Sequence, residues 1–172
     1  MIAAIHKLLN KILFDHPPKN VLCLGQGTGG AIKEYLRQHP DCQMTQFDLT
    51  EIQTHEALEL LEAHTMFEFG VVTNCIEHLD KASAVHLLAR LRDIHTKKLL
   101  VVVPIDKRWK DHTSYWEETE LLALGFILKA KLRVDEKSVY VYAFDIASYK
   151  TTPDWLNQKY WANPELWDKY WW

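Results

Sequence analysis

Four of the chain's six glycines lie within the six residues Gly25–Gly30. They follow Val21-Leu22-Cys23-Leu24, a short apolar run with the character of a buried strand. Ala31–His39 follows with helical character, and Pro40-Asp41 ends it. Glycine lets a backbone turn sharply and approach a ligand with no Cβ in the way. The helix start beyond it offers unpaired N–H groups and the positive end of a dipole. A strand, a glycine loop and a helix in that order restrict the chain to a small set of open α/β folds. In these folds ligands bind beyond the carboxyl ends of the strands.

The rest of the pattern agrees. Residues 2–14 carry Ile2, Ile5, Leu8, Leu9, Ile12 and Leu13 at helical spacing, and Asp15-His16-Pro17-Pro18 ends that segment. Its amphipathic face suits either a membrane surface or the domain's own sheet, and its weak positive charge favours the sheet. Strands are expected at 43–48, 69–74 and 98–103. Helices are expected at 51–64 (Ile52, Leu58, Leu61 and Met66 inward), 81–94 and 119–124, the last stopped by Gly125. Alternation of strand and helix predicts a mostly parallel sheet with helices on both faces. Two β-rich runs, 126–134 and 139–146, flank Asp135-Glu136-Lys137-Ser138 and predict a closing antiparallel hairpin.

At 172 residues the chain has room for one α/β domain, taken as 1–150 with an N-terminal helix in 1–18 and a tail over 151–172. A net charge of −3 argues against bulk electrostatic binding to nucleic acid or to anionic membrane. No stretch approaches the ~20 apolar residues of a spanning helix. His6, Lys7, Asn10 and Lys11 interrupt the start, so a signal peptide is not expected. Cys23, Cys42 and Cys75 read as reduced thiols, and a cytoplasmic location is expected.

The glycine loop has no GxxxxGK[ST] pattern, which argues against a P-loop nucleotidase. Gly25, Gly27 and Gly30 satisfy the dinucleotide spacing GxGxxG. Asp48, at the end of the second strand, is placed to accept hydrogen bonds from ribose hydroxyls, or else to cap the next helix.

With those segments in view, the sequence resembles the class I S-adenosylmethionine-dependent methyltransferases. VLCLGQGTGG looks like their motif I, TQFDLT like their second-strand segment, and FGVVTNCIEHLD like their fourth-strand segment. HTSYWEETELLALGF resembles the stretch before the family's final hairpin. The resemblance spans roughly residues 19–147 and implies S-adenosylmethionine as donor and a small molecule as acceptor. It implies that Gly25, Gln26, Gly27 and Gly29 surround the donor's methionine and ribose, that Asp48 binds the ribose and that Leu49 lies along the adenine. Asn74 and Cys75 would face the methyl donor and substrate, and Glu77-His78 would begin the next helix at the pocket mouth. Methyl transfer leans on positioning and desolvation, so no fixed acid–base set is required. His78 and His112 are the candidate bases for an acceptor that must lose a proton; the sequence favours a helix start for His78 and a surface loop for His112 over that role.

The sequence departs from the family in two places that bear on donor binding. Cys23 stands where the family usually has an acid, and a thiol carries no charge unless its pKa is strongly lowered. Only the 20 residues 49–68 separate Asp48 from the next strand, room for one helix and a connector. The family's third strand, an edge strand, is therefore expected to be short or missing. A non-catalytic descendant of the fold, acting through ligand binding or protein interaction, is the alternative function. A nicotinamide-dependent reductase fits the terminal hairpin less well.

Three further constellations stand out. Asp106-Lys107-Arg108-Trp109-Lys110-Asp111-His112 follows the fourth strand and suits either an anionic or aromatic substrate or a solvated loop. Cys23, Cys75 and His78 lack the paired spacing of a metal site, and no metal is expected. The tail holds Trp155, Trp161, Trp167, Trp171 and Trp172, a composition for packing across the domain, for self-association or for a protein partner.

Overall fold

The computed structural model describes residues 2–27, 29–48, 54–105, 109, 112–134, 137–149, 163–166 and 169. In chain order the elements are α1 (Ile2–Asp15), β1 (Asn20–Gly25), α2 (Gly29–Gln38), β2 (Gln43–Phe47), α3 (Thr54–Glu62) and β3 (Phe67–Thr73). Then come α4 (Lys81–Arg90), β4 (Thr96–Ile105), α5 (Glu118–Ala123), β5 (Ile127–Val134), β6 (Lys137–Asp145) and the short α6 (Ile146–Tyr149). The six strands form one sheet in the order β2-β1-β3-β4-β6-β5. β2, β1, β3 and β4 are parallel, and β6 is antiparallel to both β4 and β5. The fold is therefore α/β, with the expected closing hairpin. β2 is the edge strand, and no strand lies outside it among the described residues.

Alternation along the strands sorts the core into two layers. Val21, Cys23, Val71, Leu100 and Val102 face α1 and α2, where Leu9, Leu13 and Ile32 are fully buried. Leu22, Leu24, Val72, Leu99, Val101 and Val103 face α3, α4 and α5, packed on Leu61, Leu87, Leu88 and Leu121. α1 thus spends its apolar face on the sheet, each fully buried leucine contributing about 1.5–3 kcal/mol. β4 is buried at eight of its ten positions, because it is central and covered on both sides.

Two local expectations shift. Met66 is 41% exposed, since it lies beyond the end of α3, in the connector to β3. The helix expected at 81–94 closes as α4 at Arg90, followed by a π-type turn over Leu91–His95 that buries Leu91 and His95. α4 begins at Asp80, whose carboxylate accepts from the Ser83 N–H at 3.0 Å. The tryptophans of the tail lie outside the described residues, apart from a 3₁₀ turn at Pro164–Leu166 after Asn163.

Candidate ligand site at the switch point

The chain leaves β1 for β2 on one side and returns to β3 on the other, so the strand order reverses beside β1. The crevice above that reversal is where an open α/β sheet binds ligands. Two corners meet there. Gly25 pairs with Thr73 in register, and both lie at carboxyl ends of their strands. Gly25 (φ 82°) and Gly27 (φ 100°) occupy backbone conformations that other residues avoid. Facing them, Asn74 (φ 48°) takes the left-handed conformation that asparagine tolerates best among non-glycine residues.

The corners fit each other closely. A Cβ at Gly25 would lie 2.1 Å from the Thr73 carbonyl oxygen and 2.9 Å from that of Asn74. The Thr73 hydroxyl donates to the Gln26 carbonyl at 2.7 Å, tying the glycine loop to β3. A Cβ at Gly27 would meet nothing within 4 Å, so this side of the loop is open. The Gln26 side-chain amide donates to Asp48 Oδ2 at 2.9 Å and bridges the ends of β1 and β2.

A cavity of about 290 Å³ opens from this loop, walled by Ile5, Val102, Pro104 and Val139, with Trp109 and His112 beside them. Its polar rim is Gln26, Thr73, Asn74, Glu77 and His6. The volume and the mainly apolar walls suit a small organic ligand. His6 reaches in from α1, its Nε2 3.5 Å from the Gly27 carbonyl. Glu77, at 4% exposure, and Thr73 are the rim's buried members. The Glu77 carboxylate accepts from the Cys75 N–H at 3.0 Å, and burial pushes its pKa up despite that bond and the nearby His78.

The segment carrying His112 is anchored to the same turn. The Thr113 and Ser114 N–H groups donate to the Glu77 carbonyl at 2.9 and 3.0 Å, and the Ser114 hydroxyl donates to the Ile76 carbonyl at 2.9 Å. Trp116 is buried below, with Lys81 Nζ 3.8 Å from its ring centroid. His112 stacks on Trp109, with ring centroids 5.5 Å apart, and meets His78 edge-on at 5.5 Å. His78 is exposed, 3.3 Å from Asn74 Oδ1, and opens toward a neighbouring cleft shared with His55 and His86.

Of the sequence candidates, the crevice gathers Gly25, Gln26, Gly27, Asp48, Asn74 and His112, and Gly29 opens α2 immediately behind it. Cys75 lies beneath, buried in the layer facing α3 and α4, its thiol pushed up by burial and by the charges of Glu77 and Asp48. Cys23 points to the opposite layer; burial, with Cys42 adding to it, raises its pKa to about 12, so it is a neutral thiol. Leu49 and the cationic residues 107, 108 and 110 lie outside the described residues. His6 and Thr73 join the cavity with no part in the sequence expectation, whereas Glu77, expected with His78 at the pocket mouth, lines it as a buried side chain. His6 had one signal, its place at the margin of the α1 apolar stripe.

A family model covers residues 3–172, that of a family of unknown function, DUF6231. The chain belongs to this family. No curated protein matches it. Among solved structures it is similar to 1,6-didemethyltoxoflavin-N1-methyltransferase from Burkholderia thailandensis, a structure with bound S-adenosylhomocysteine. The TM-score is 0.56 at 17% identity, over 84% of this chain and 78% of that one. The methyltransferase domain of bacterial CtHen1 gives 0.53 at 14% identity, over 81% and 97%. The pyocyanin biosynthetic protein PhzM gives 0.50 at 16% identity over 80% of this chain, which spans about half of that protein's length (53%). At these identities the likeness is one of fold.

Proposed function

We propose that this DUF6231 protein transfers a methyl group from S-adenosylmethionine to a small molecule. The observation that carries the reading is the pinned glycine loop, open beside Gly27, with Asp48 at the next strand end and an apolar cavity in front. S-adenosylmethionine, when bound, supplies an electrophilic methyl on a sulfonium. The chain's part is to hold and orient. The loop Gly25–Gly29 wraps the donor's amino-acid and ribose region. Asp48, steadied by Gln26, accepts from the ribose hydroxyls. Asn74 stands at the reacting end. Ile5, Val102, Pro104 and Val139 exclude water from the cavity, which favours charge-dispersing displacement. His112, held by the 113–114 bonds to the Glu77 carbonyl, takes a proton from an acceptor that must lose one, with His78 beside it.

Incubation with methyl-tritiated S-adenosylmethionine and a bacterial metabolite extract tests this. Label is expected in the small-molecule fraction and is expected to be lost in Asp48→Ala. Label confined to protein or nucleic acid would overturn the small-molecule acceptor, and no transfer to any fraction would overturn the methyl-transfer reading.

A further inference from the structure

Glu77 is the one acidic side chain on the wall of the cavity beside the glycine loop among the described residues. It is buried, on a fixed turn, with the Cys75 N–H on one oxygen. Burying a carboxyl in an apolar-walled cavity is unfavourable for its charged form unless a cation meets it there. Its neighbours supply weak compensation. His6 reaches in from α1, His78 lies on its own turn and His112 on the anchored segment. Asp48 and Cys75 are of the opposite kind, and Lys81, at the start of α4, is turned to Glu120 at 2.8 Å. The residues at 106–108, 110 and 111 lie outside the described set.

Resting on the donor reading above, we propose that Glu77 makes the cavity charge-selective, pairing with the sulfonium of the donor so that the cationic donor is held more tightly than its neutral thioether product. Burial raises the Glu77 pKa, and a cation beside it pulls the other way, so donor binding shifts the carboxyl toward its ionised form and releases protons. The thioether, S-adenosylhomocysteine, carries no charge at sulfur and exerts no such pull. Each unit by which the cation lowers the carboxyl's pKa multiplies relative affinity by about ten. The amino and carboxylate ends are common to both ligands and cancel in the ratio. The result is a site that expels its product.

Calorimetric titration of both ligands into the full chain tests this, at pH 5.5, 6.5 and 7.5, in buffers of different ionisation enthalpy. Proton release is expected on binding S-adenosylmethionine and not on binding S-adenosylhomocysteine. The donor-to-product affinity ratio is expected to rise between pH 5.5 and 7.5, by about tenfold for each unit by which the donor lowers the carboxyl's pKa. Glu77→Gln isolates the carboxyl: its ratio should be lower than wild type at pH 7.5 and its proton release abolished, with product affinity kept. Should that variant fail to fold, proton release in the wild type decides alone. A ratio unchanged by Glu77→Gln, or equal proton release with both ligands, overturns the selectivity and leaves the donor reading standing. Failure of either ligand to bind overturns the donor reading and this proposal with it.

Discussion

Gly25 and Gly27 share a left-handed backbone but differ in surroundings, and that difference can be measured. Replacing either by alanine forces a Cβ into φ 82° or φ 100°, which costs roughly 1–2 kcal/mol. At Gly27 the new methyl meets nothing within 4 Å, so the conformational cost is the whole effect. At Gly25 the methyl would sit 2.1 Å from the Thr73 carbonyl, 2.9 Å from the Asn74 carbonyl and 2.9 Å from Cys75 Cβ. Two of those atoms are backbone, and one belongs to a residue paired with Gly25 in the sheet, so relief requires parting β1 from β3. Overpacking of this kind adds roughly 1–3 kcal/mol. Gly25→Ala should therefore lose about 2–5 kcal/mol, and Gly27→Ala about 1–2. With a urea m-value of about 2 kcal/mol/M, the midpoint falls by about 1–2.5 M for the first and about 0.5–1 M for the second. Equal shifts, or a larger one at Gly27, would refute the argument that contact with the Thr73–Asn74 corner dictates Gly25.

Three further outcomes are expected. Trp116→Ala should cost about 3–5 kcal/mol in urea unfolding, because it empties a fully buried site and removes the ring under Lys81; Trp116→Phe should cost clearly less. His95 is buried, and burial with the Arg90 charge holds its pKa below the ordinary histidine value, against a smaller opposing pull from Glu62. The unfolded chain then binds the extra proton, so stability is lost as pH falls from about 6.5 toward the folded pKa. A urea midpoint that declines less between pH 7.5 and 5.5 in His95→Gln than in wild type checks this. Cys23→Asp restores the acid usual in the resembled family but places it in an apolar layer that already drives the thiol to about 12. The variant should be markedly less stable at pH 7.5 and should recover as pH falls and the carboxyl protonates, read from thermal unfolding at both pH values.

The fold was legible where periodicity was strong. Val21–Leu24, Lys98–Val103 and the closing pair of strands announce themselves by β-rich apolar runs, and the short span after Asp48 agrees with β2 as the edge strand among the described residues. Element ends were less legible, since the π-type turn at Leu91–His95 follows from burying His95 and leaves no local mark. The glycine loop and Asp48 could be read because their chemistry depends on residue type at fixed spacing. The cavity wall could not, because Ile5, His6, Glu77, Val102 and Val139 come from separate elements that only the sheet order brings together. Glu77 is the clearest case. In the sequence it is a charged residue beside a helix start, and its burial arises from the 112–116 segment folding over it through its own carbonyl.

The central claim is that the glycine loop and Asp48 hold an adenosyl donor. Calorimetric titration of S-adenosylhomocysteine into wild type and Asp48→Ala addresses it most directly. Micromolar binding in wild type, weakened well over tenfold in the variant, is the predicted result; a loss of that size is about 1.4 kcal/mol or more. No binding at millimolar ligand, or the same affinity in both proteins, would contradict it.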